Sequence, residues 1–330
     1  MVTPTCSALR IGIDLGGTKT EGILMDADGA ILARERRVTP RQQGYRAILE
    51  CVRGLVLDLE RQAGRTCAVG IGTPGSVSAR TGLLKNSNTT CLNGQPVQSD
   101  LEAMLQRPVR IANDANCFAL SEAIDGAGHG RAVVFGVIIG TGVGGGIVVR
   151  GELLQGLQHI AGEWGHNPLE PDGPACYCGR QGCIETLLSG PGLERDYVAQ
   201  GPSSGVNSVL QRTQGTGGPA LAGVDAGPDA RTIAALAQGG DERAEAAMRR
   251  YLARFGRALA SVINILDPDA VILGGGLSNI PRLYDEGREQ VARHVFNDEL
   301  RTLILPNVHG DSSGVRGAAR LWAAGETPRG

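Results

Sequence analysis

Residues 9–25 read LRIGIDLGGTKTEGILM, and residues 132–149 read AVVFGVIIGTGVGGGIVV. In both stretches an apolar run enters a glycine cluster and a second apolar run, rich in β-branched residues after Gly146, leaves it. Runs of this length bounded by glycine predict strand, tight turn, strand. Gly140, Gly142 and Gly145 fit G-x-G-x-x-G, but a dinucleotide fingerprint must open a helix, and Ile147, Val148 and Val149 predict a strand. The first turn is not a Walker A loop either, because Thr18 precedes Lys19 where that motif needs glycine. What remains is one unit used twice, once near the start of each half. The expectation is a pair of similar α/β domains facing each other, each offering a glycine turn whose N–H groups approach a phosphate. Asp14, Gly16, Gly17, Thr18 and Lys19 occupy one turn, and Thr141, Gly142 and Gly144 the other; taken alone, either could be an ordinary hairpin.

Between these units the chain alternates. Ala30 to Val38 is a predicted strand, and Tyr45 to Arg61 has helical spacing with Ile48, Val52, Leu55, Val56 and Leu59 on one side. A short strand at Ala68–Ile71 stops at Pro74-Gly75, and 81–94 is a polar loop before a helix near Ser99–Leu105. Val109–Ala112 is a strand that delivers Asn113, Asp114, Ala115 and Asn116 at its carboxyl end, where open α/β sheets bind ligands. Asp114 could equally serve as the N-cap of the helix that follows. Further on, Asp241 is expected to cap a long helix ended by Pro268, and Ala270–Leu273 is a strand running into Gly274, Gly275 and Gly276. A helix over about Pro281–His294, a strand near Thr302–Leu305 and a helix capped by Ser312 or Ser313 complete the order. Residues 201–230, rich in Gly, Ser, Ala and Pro, are expected to be a mobile insertion.

A different chemistry sits at GEWGH (162–166) and CYCGRQGCIET (176–186). His166, Cys176, Cys178 and Cys183 follow the spacing His-x9-Cys-x-Cys-x4-Cys, and three thiolates with one imidazole fill a tetrahedron, the closed set of a structural Zn²⁺. The alternative is a group of buried thiols beside an unrelated histidine. A clip there would also fix the carboxylates of Glu163 and Glu185, and paired carboxylates suit sugar hydroxyls.

The whole chain sets the limits. Its 330 residues suffice for two cores, and a net charge of -2 with pI near 6.2 argues against a general nucleic-acid binder. Residues 1–8 have neither the basic start nor the apolar run of a signal peptide, and nothing approaches a membrane span. A cytoplasmic protein with reduced cysteines is expected. Lys19 and Lys85 are its only lysines.

Taken together, DLGGTKT (14–20), IANDAN (111–116), GEWGH and CYCGRQGCIE resemble the ROK family of sugar kinases and repressors. The resemblance runs from Leu9 to Trp322 and implies the two-domain actin-like or hexokinase-like ATPase fold, ribonuclease H-like, with a zinc-binding loop. It implies one domain from 1–115 with 313–330, and another from 116–312 that carries the loop at 162–185. Asp114 corresponds to the catalytic base, Gly75, Asn88, Asn113, Glu163, His166 and Glu185 to sugar-binding residues, and Gly275 and Gly276 to the adenosine loop beside the two phosphate turns. It implies a structural Zn²⁺, Mg²⁺ with ATP, a hexose substrate, no nucleic-acid or membrane partner, and a homodimer. The segments KNSNTTCLNGQP (85–96), GHNPL (165–169) and HGDSSGVRGAARLW (309–322) look most like the fructokinases of the family, with Cys91 as a departure in the sugar-side loop. N-Acetylglucosamine, N-acetylmannosamine and glucose kinases share every core motif. The repressors carry a DNA-binding module before the sugar domain, and with the first strand at Leu9 no such module is expected here.

Overall fold

The computed structural model describes residues 9–199 and 227–326. Strands β1 (Arg10–Leu15), β2 (Lys19–Met25) and β3 (Ile31–Val38) form an antiparallel meander; helix α1 (Tyr45–Ala63) crosses to β4 (Ala68–Thr73). A small hairpin, β5 (Ser76–Val77) and β6 (Leu84–Lys85), interrupts the polar loop before α2 (Val97–Leu105) and β7 (Val109–Asn113). The first sheet has the order β3-β2-β1-β4-β7, with β1, β4 and β7 parallel.

Helix α3 (Asp114–Asp125) then leads to the second unit. There β8 (Val133–Ile139), β9 (Val143–Val149) and β10 (Glu152–Leu153) repeat the meander. After the cysteine loop come α4 (Ile184–Leu188) and α5 (Gly190–Ala199), and then α6 (Ala230–Gln238), α7 (Glu242–Leu266), β11 (Ala270–Gly274), α8 (Glu286–Ala292), β12 (Leu303–Pro306) and α9 (Ser313–Arg320). The second sheet is ordered β10-β9-β8-β11-β12, with β8, β11 and β12 parallel. The repeat suspected from the two glycine turns therefore extends through a whole sheet on each side.

Each sheet has its own core. In the first unit Ile11, Ile13, Val69 and Ile71 meet the apolar side of α1, where all five residues expected to face inward are fully buried. In the second, α7 buries Met248, Tyr251, Phe255 and Leu259, and Leu252 and Ile263 widen the stripe. Asp241 caps α7 as expected, its side chain accepting the Ala244 N–H at 2.7 Å.

Helices α3 and α9 join the halves. Where they cross, no side chain fits at Gly317, since a Cβ there would lie 1.7 Å from the Cys117 carbonyl oxygen. Glu122 of α3 is fully buried at this crossing, yet it accepts hydrogen bonds from Ala127 N, Val308 N, His309 N and Ser313 Oγ. A buried carboxylate persists where donors replace its water. Asp125 does the same nearby with His309, Arg316 and Arg320.

Several local expectations need correction. Ser313 is not a cap; its hydroxyl is spent on Glu122 and on the Gly310 carbonyl, and Ser312 at the N-cap position makes no capping bond. The helix expected from Pro281 starts at Glu286, because Asp285 bonds back to the Glu286 N–H and leaves Pro281–Leu283 as a 3-10 turn. Residues 201–226 of the expected insertion lie outside the described residues, and its last residue, Ala230, already opens α6. Cys67 and Cys117 are buried, but Cys51 and Cys91 are only partly so. Among the described residues no helix is long and apolar enough to cross a membrane.

Candidate functional site

The first glycine turn is held from the side. Gly16 N donates to the Lys19 carbonyl at 3.1 Å, and Thr39, just after β3, donates its hydroxyl to Gly16 O at 2.7 Å and its N–H to Thr18 O at 3.0 Å. Lys19 stays half exposed, 3.8 Å from the buried carboxylate of Glu21, which Arg34 and Arg36 also approach at 3.2 and 2.7 Å. The second turn closes through Gly140 N to Gly142 O at 2.9 Å, and Gly190 N reaches the Gly140 carbonyl at 2.8 Å. A Cβ built at Gly140 would lie 3.9 Å from Gly276 N, so the end of β11, with Gly275 and Gly276, borders this turn and Thr141.

Asp114 stands between the two turns. Asn113 is the N-cap of α3: its Oδ1 accepts the Ala115 N–H at 2.9 Å, while its Nδ2 donates to the Gly75 carbonyl at 3.1 Å and ties the loop after β4 to the helix. Asp114 is the first helical residue, so capping does not need it, although its Oδ1 also receives the Ala115 N–H at 2.8 Å. Its carboxylate opens onto the cleft, but the protein walls around it displace enough water to raise its pKa despite that N–H. Gly144 of the second turn abuts the next residue of α3, a Cβ there being 3.1 Å from the Ala115 methyl. Asp14, at the end of β1, is close enough to feel Asp114; burial, then Asp114 and Glu21, push it up to about 6.

The cysteine loop supplies the other wall. Glu163 is raised chiefly by burial, and it senses His166, Asp114, Glu185 and Lys85, which draws carboxylates from three segments into one space. Glu185 accepts the Val143 N–H at 3.0 Å. Asn88 is exposed, and its neighbour Thr89 abuts Gly17. A cavity of about 780 Å³ reaches Asn113 and Asn116 between β7 and β10, but Asp14, Asp114, Glu163 and Glu185 do not line it. The chemistry therefore belongs to the cleft.

His166, Cys176, Cys178 and Cys183 converge, their ligand atoms all lying within 4.8 Å of one another. His166 Nδ1 faces Cys176 Sγ at 3.6 Å, and Cys178 Sγ lies 3.6 Å from Cys183 Sγ. Burial opposes ionisation of Cys178, yet Arg180 and the neighbouring thiols hold it down to about 6. One ready thiolate among soft donors fits a Zn²⁺ with all four positions filled. Asp14 fits a cation differently: it is a crowded carboxylate whose nearest charges include two more acids, a balance that a divalent ion arriving with a polyphosphate would relieve.

Sequence reasoning passed over Tyr177. Its hydroxyl lies 3.0 Å from His166 Nε2, and its ring meets the imidazole edge-on with centroids 5.1 Å apart. The signal was available in its place between two ligand cysteines.

A model of the ROK family matches residues 10–324. The chain belongs to the ROK family. An N-acetyl-D-glucosamine kinase of Escherichia coli is 38% identical over 323 residues, covering 94% of this chain and 98% of that protein. Among solved structures, the ROK hexokinase of Thermus thermophilus is 33% identical with a TM-score of 0.78 over 94% of this chain and 96% of its own. The ROK glucokinase of Streptomyces griseus, solved with glucose and AMPPNP, is 31% identical with a TM-score of 0.72 over 95% and 99%. This ROK protein thus shares its fold over nearly the whole length with proteins named as a hexokinase and a glucokinase.

Proposed function

We propose that this ROK protein is an ATP-dependent sugar kinase that phosphorylates the 6-hydroxyl of N-acetylglucosamine. The observation that carries the reaction type is Asp114. It is a carboxylate relieved of capping by Asn113, facing a cleft between two glycine turns, and less solvated than an ordinary aspartate. A general base must meet the hydroxyl it deprotonates, and a raised pKa brings it nearer the working pH. Asp114 accepts the hydroxyl proton as the sugar oxygen attacks the terminal phosphoryl group. Glu163 and Glu185 take hydrogen bonds from other hydroxyls and orient the ring. Backbone N–H groups of the two turns and Lys19 receive the phosphates, and Gly275 and Gly276 lie beside the adenosine. Mg²⁺ carried with ATP would be held at Asp14 and would offset phosphate charge. Zn²⁺ would be held by His166, Cys176, Cys178 and Cys183, where it would fix the shape of the loop.

The acceptor is inferred from the relatives. The Escherichia coli protein named N-acetyl-D-glucosamine kinase spans 94% of the chain. That supports the acetylated sugar better than fructose, which rests on the segments at 85–96, 165–169 and 309–322. An assay of ADP release over N-acetylglucosamine, glucose, mannose, N-acetylmannosamine and fructose tests the reading. The highest kcat/KM is expected for N-acetylglucosamine; preference for fructose would overturn the acceptor, and no release with any sugar would overturn the reaction.

A further inference from the structure

Tyr177 is exposed over 78% of its surface, although both flanking cysteines belong to the soft-donor cluster. The two nitrogens of His166 divide their contacts: Nδ1 turns to Cys176 Sγ and Nε2 to the Tyr177 hydroxyl at 3.0 Å. An imidazole that gives one nitrogen to a metal carries its proton on the other. Nε2–H therefore donates, and the phenolic oxygen accepts. The phenol is left with one hydrogen of its own to donate. Glu163 stands three residues before His166 and Glu185 two after Cys183, so the phenol held against His166 lies on the same loop as both carboxylates.

Ionised Glu163 and Glu185 can only accept hydrogen bonds, which suits the hydroxyls of any hexose. A carbonyl oxygen can only accept as well, and neither carboxylate can serve it. The geometry points to Tyr177 as a specificity-determining residue whose phenolic hydrogen is donated to the acetamido carbonyl of an N-acetylated aminosugar. The inference rests on the acceptor proposed above and deepens it. A plain hexose has a hydroxyl in place of the acetamide and can turn its hydrogen to a carboxylate, so it does not need the phenol. Removing a partner made for one polar group penalises the ligand bearing that group.

Tyr177→Phe keeps the ring against His166 and removes only the hydroxyl. Binding of N-acetylglucosamine and of glucose to the zinc-loaded protein is measured by calorimetry without nucleotide, alongside kcat/KM for both sugars and the zinc content. The expected result is about tenfold weaker binding and lower kcat/KM for N-acetylglucosamine, with glucose within about twofold and zinc unchanged. Equal losses for the two sugars, or lost zinc, would assign the phenol to the loop structure and overturn the inference. In that case Tyr177→Trp, which refills the space, would restore both sugars together. Unchanged binding of N-acetylglucosamine in the Phe variant also overturns it while leaving the proposed acceptor intact. A parent protein that binds no N-acetylglucosamine overturns the acceptor itself.

Discussion

Glu185 Oε2 accepts the Val143 N–H at 3.0 Å, and a side chain at Gly142 would bring its Cβ to 2.6 Å from the same oxygen. The carboxylate at the start of α4, directly after the cysteine loop, thus braces the second glycine turn with one oxygen and leaves the other for the sugar hydroxyl proposed above. In that proposal the sugar side and the nucleotide side share a residue. Substitutions there report on both.

Glu185→Ala should raise KM for the sugar and for ATP alike, each by about tenfold, because the Val143 N–H loses its partner while the sugar loses an acceptor. Glu185→Gln retains a carbonyl oxygen for the N–H. It should raise the sugar KM while leaving the ATP KM within about twofold of the parent. Steady-state titration of each substrate against saturating partner separates the two; an ATP KM untouched by the alanine change would contradict the bracing role.

The two glycine turns look equivalent in sequence but are not equally tight. A Cβ at Gly17 would meet Thr89 Oγ1 at 3.3 Å, a contact that a small side-chain movement relieves, whereas at Gly142 it would displace Glu185. Gly17→Ala should weaken ATP alone. Gly142→Ala should weaken ATP and sugar together, and calorimetric titration with each ligand gives the comparison.

Zinc removal should act on shape. Chelation, or Cys178→Ser, should lower the Tm and abolish sugar binding in parallel, since metal affinity in such a loop is folding free energy. Elemental analysis of the purified protein should find about one zinc per chain. A fully active preparation holding less than half an equivalent would contradict a structural metal.

Asp14 gives a pH dependence of defined sign. Its folded pKa of about 6 lies above the ordinary 3.8, so the folded chain holds this proton more tightly. The resulting stability is full below about pH 4 and is lost as the pH rises through about 6. At pH 7.5 the ligand-free protein therefore carries an unfavourable charge, and Asp14→Asn should stabilise it by about 1–3 kcal/mol, with the gain shrinking toward pH 4. Thermal melts from pH 5 to 8 measure this. The same variant should lose affinity for ATP with Mg²⁺.

The doubled strand, turn, strand unit was legible because periodicity and glycine punctuation are local. So was the meeting of His166 with the three cysteines, since ligand spacing nearly dictates it. What escaped were features set by distant partners. The capping of α3 by Asn113 depends on the path of Gly75, the engagement of Ser313 depends on Glu122, nearly two hundred residues earlier in the chain, and the contact of Tyr177 with His166 depends on how the loop folds back. Helices α4 to α6 were missed because their buried faces are short and lean on α7 rather than on a sheet. Asn88, chosen by resemblance, is exposed.

The most direct test of the account is the rate of Asp114→Asn. The amide can still accept the Ala115 N–H, and Asn113 still caps α3, so fold and sugar affinity should persist. It cannot take a proton, and kcat for N-acetylglucosamine should fall by about 10² to 10⁴ with sugar binding within a few-fold of the parent. Turnover near the parent rate, with the same sugar bound as tightly, would contradict Asp114 as the base and leave Glu163 to be tried in its place.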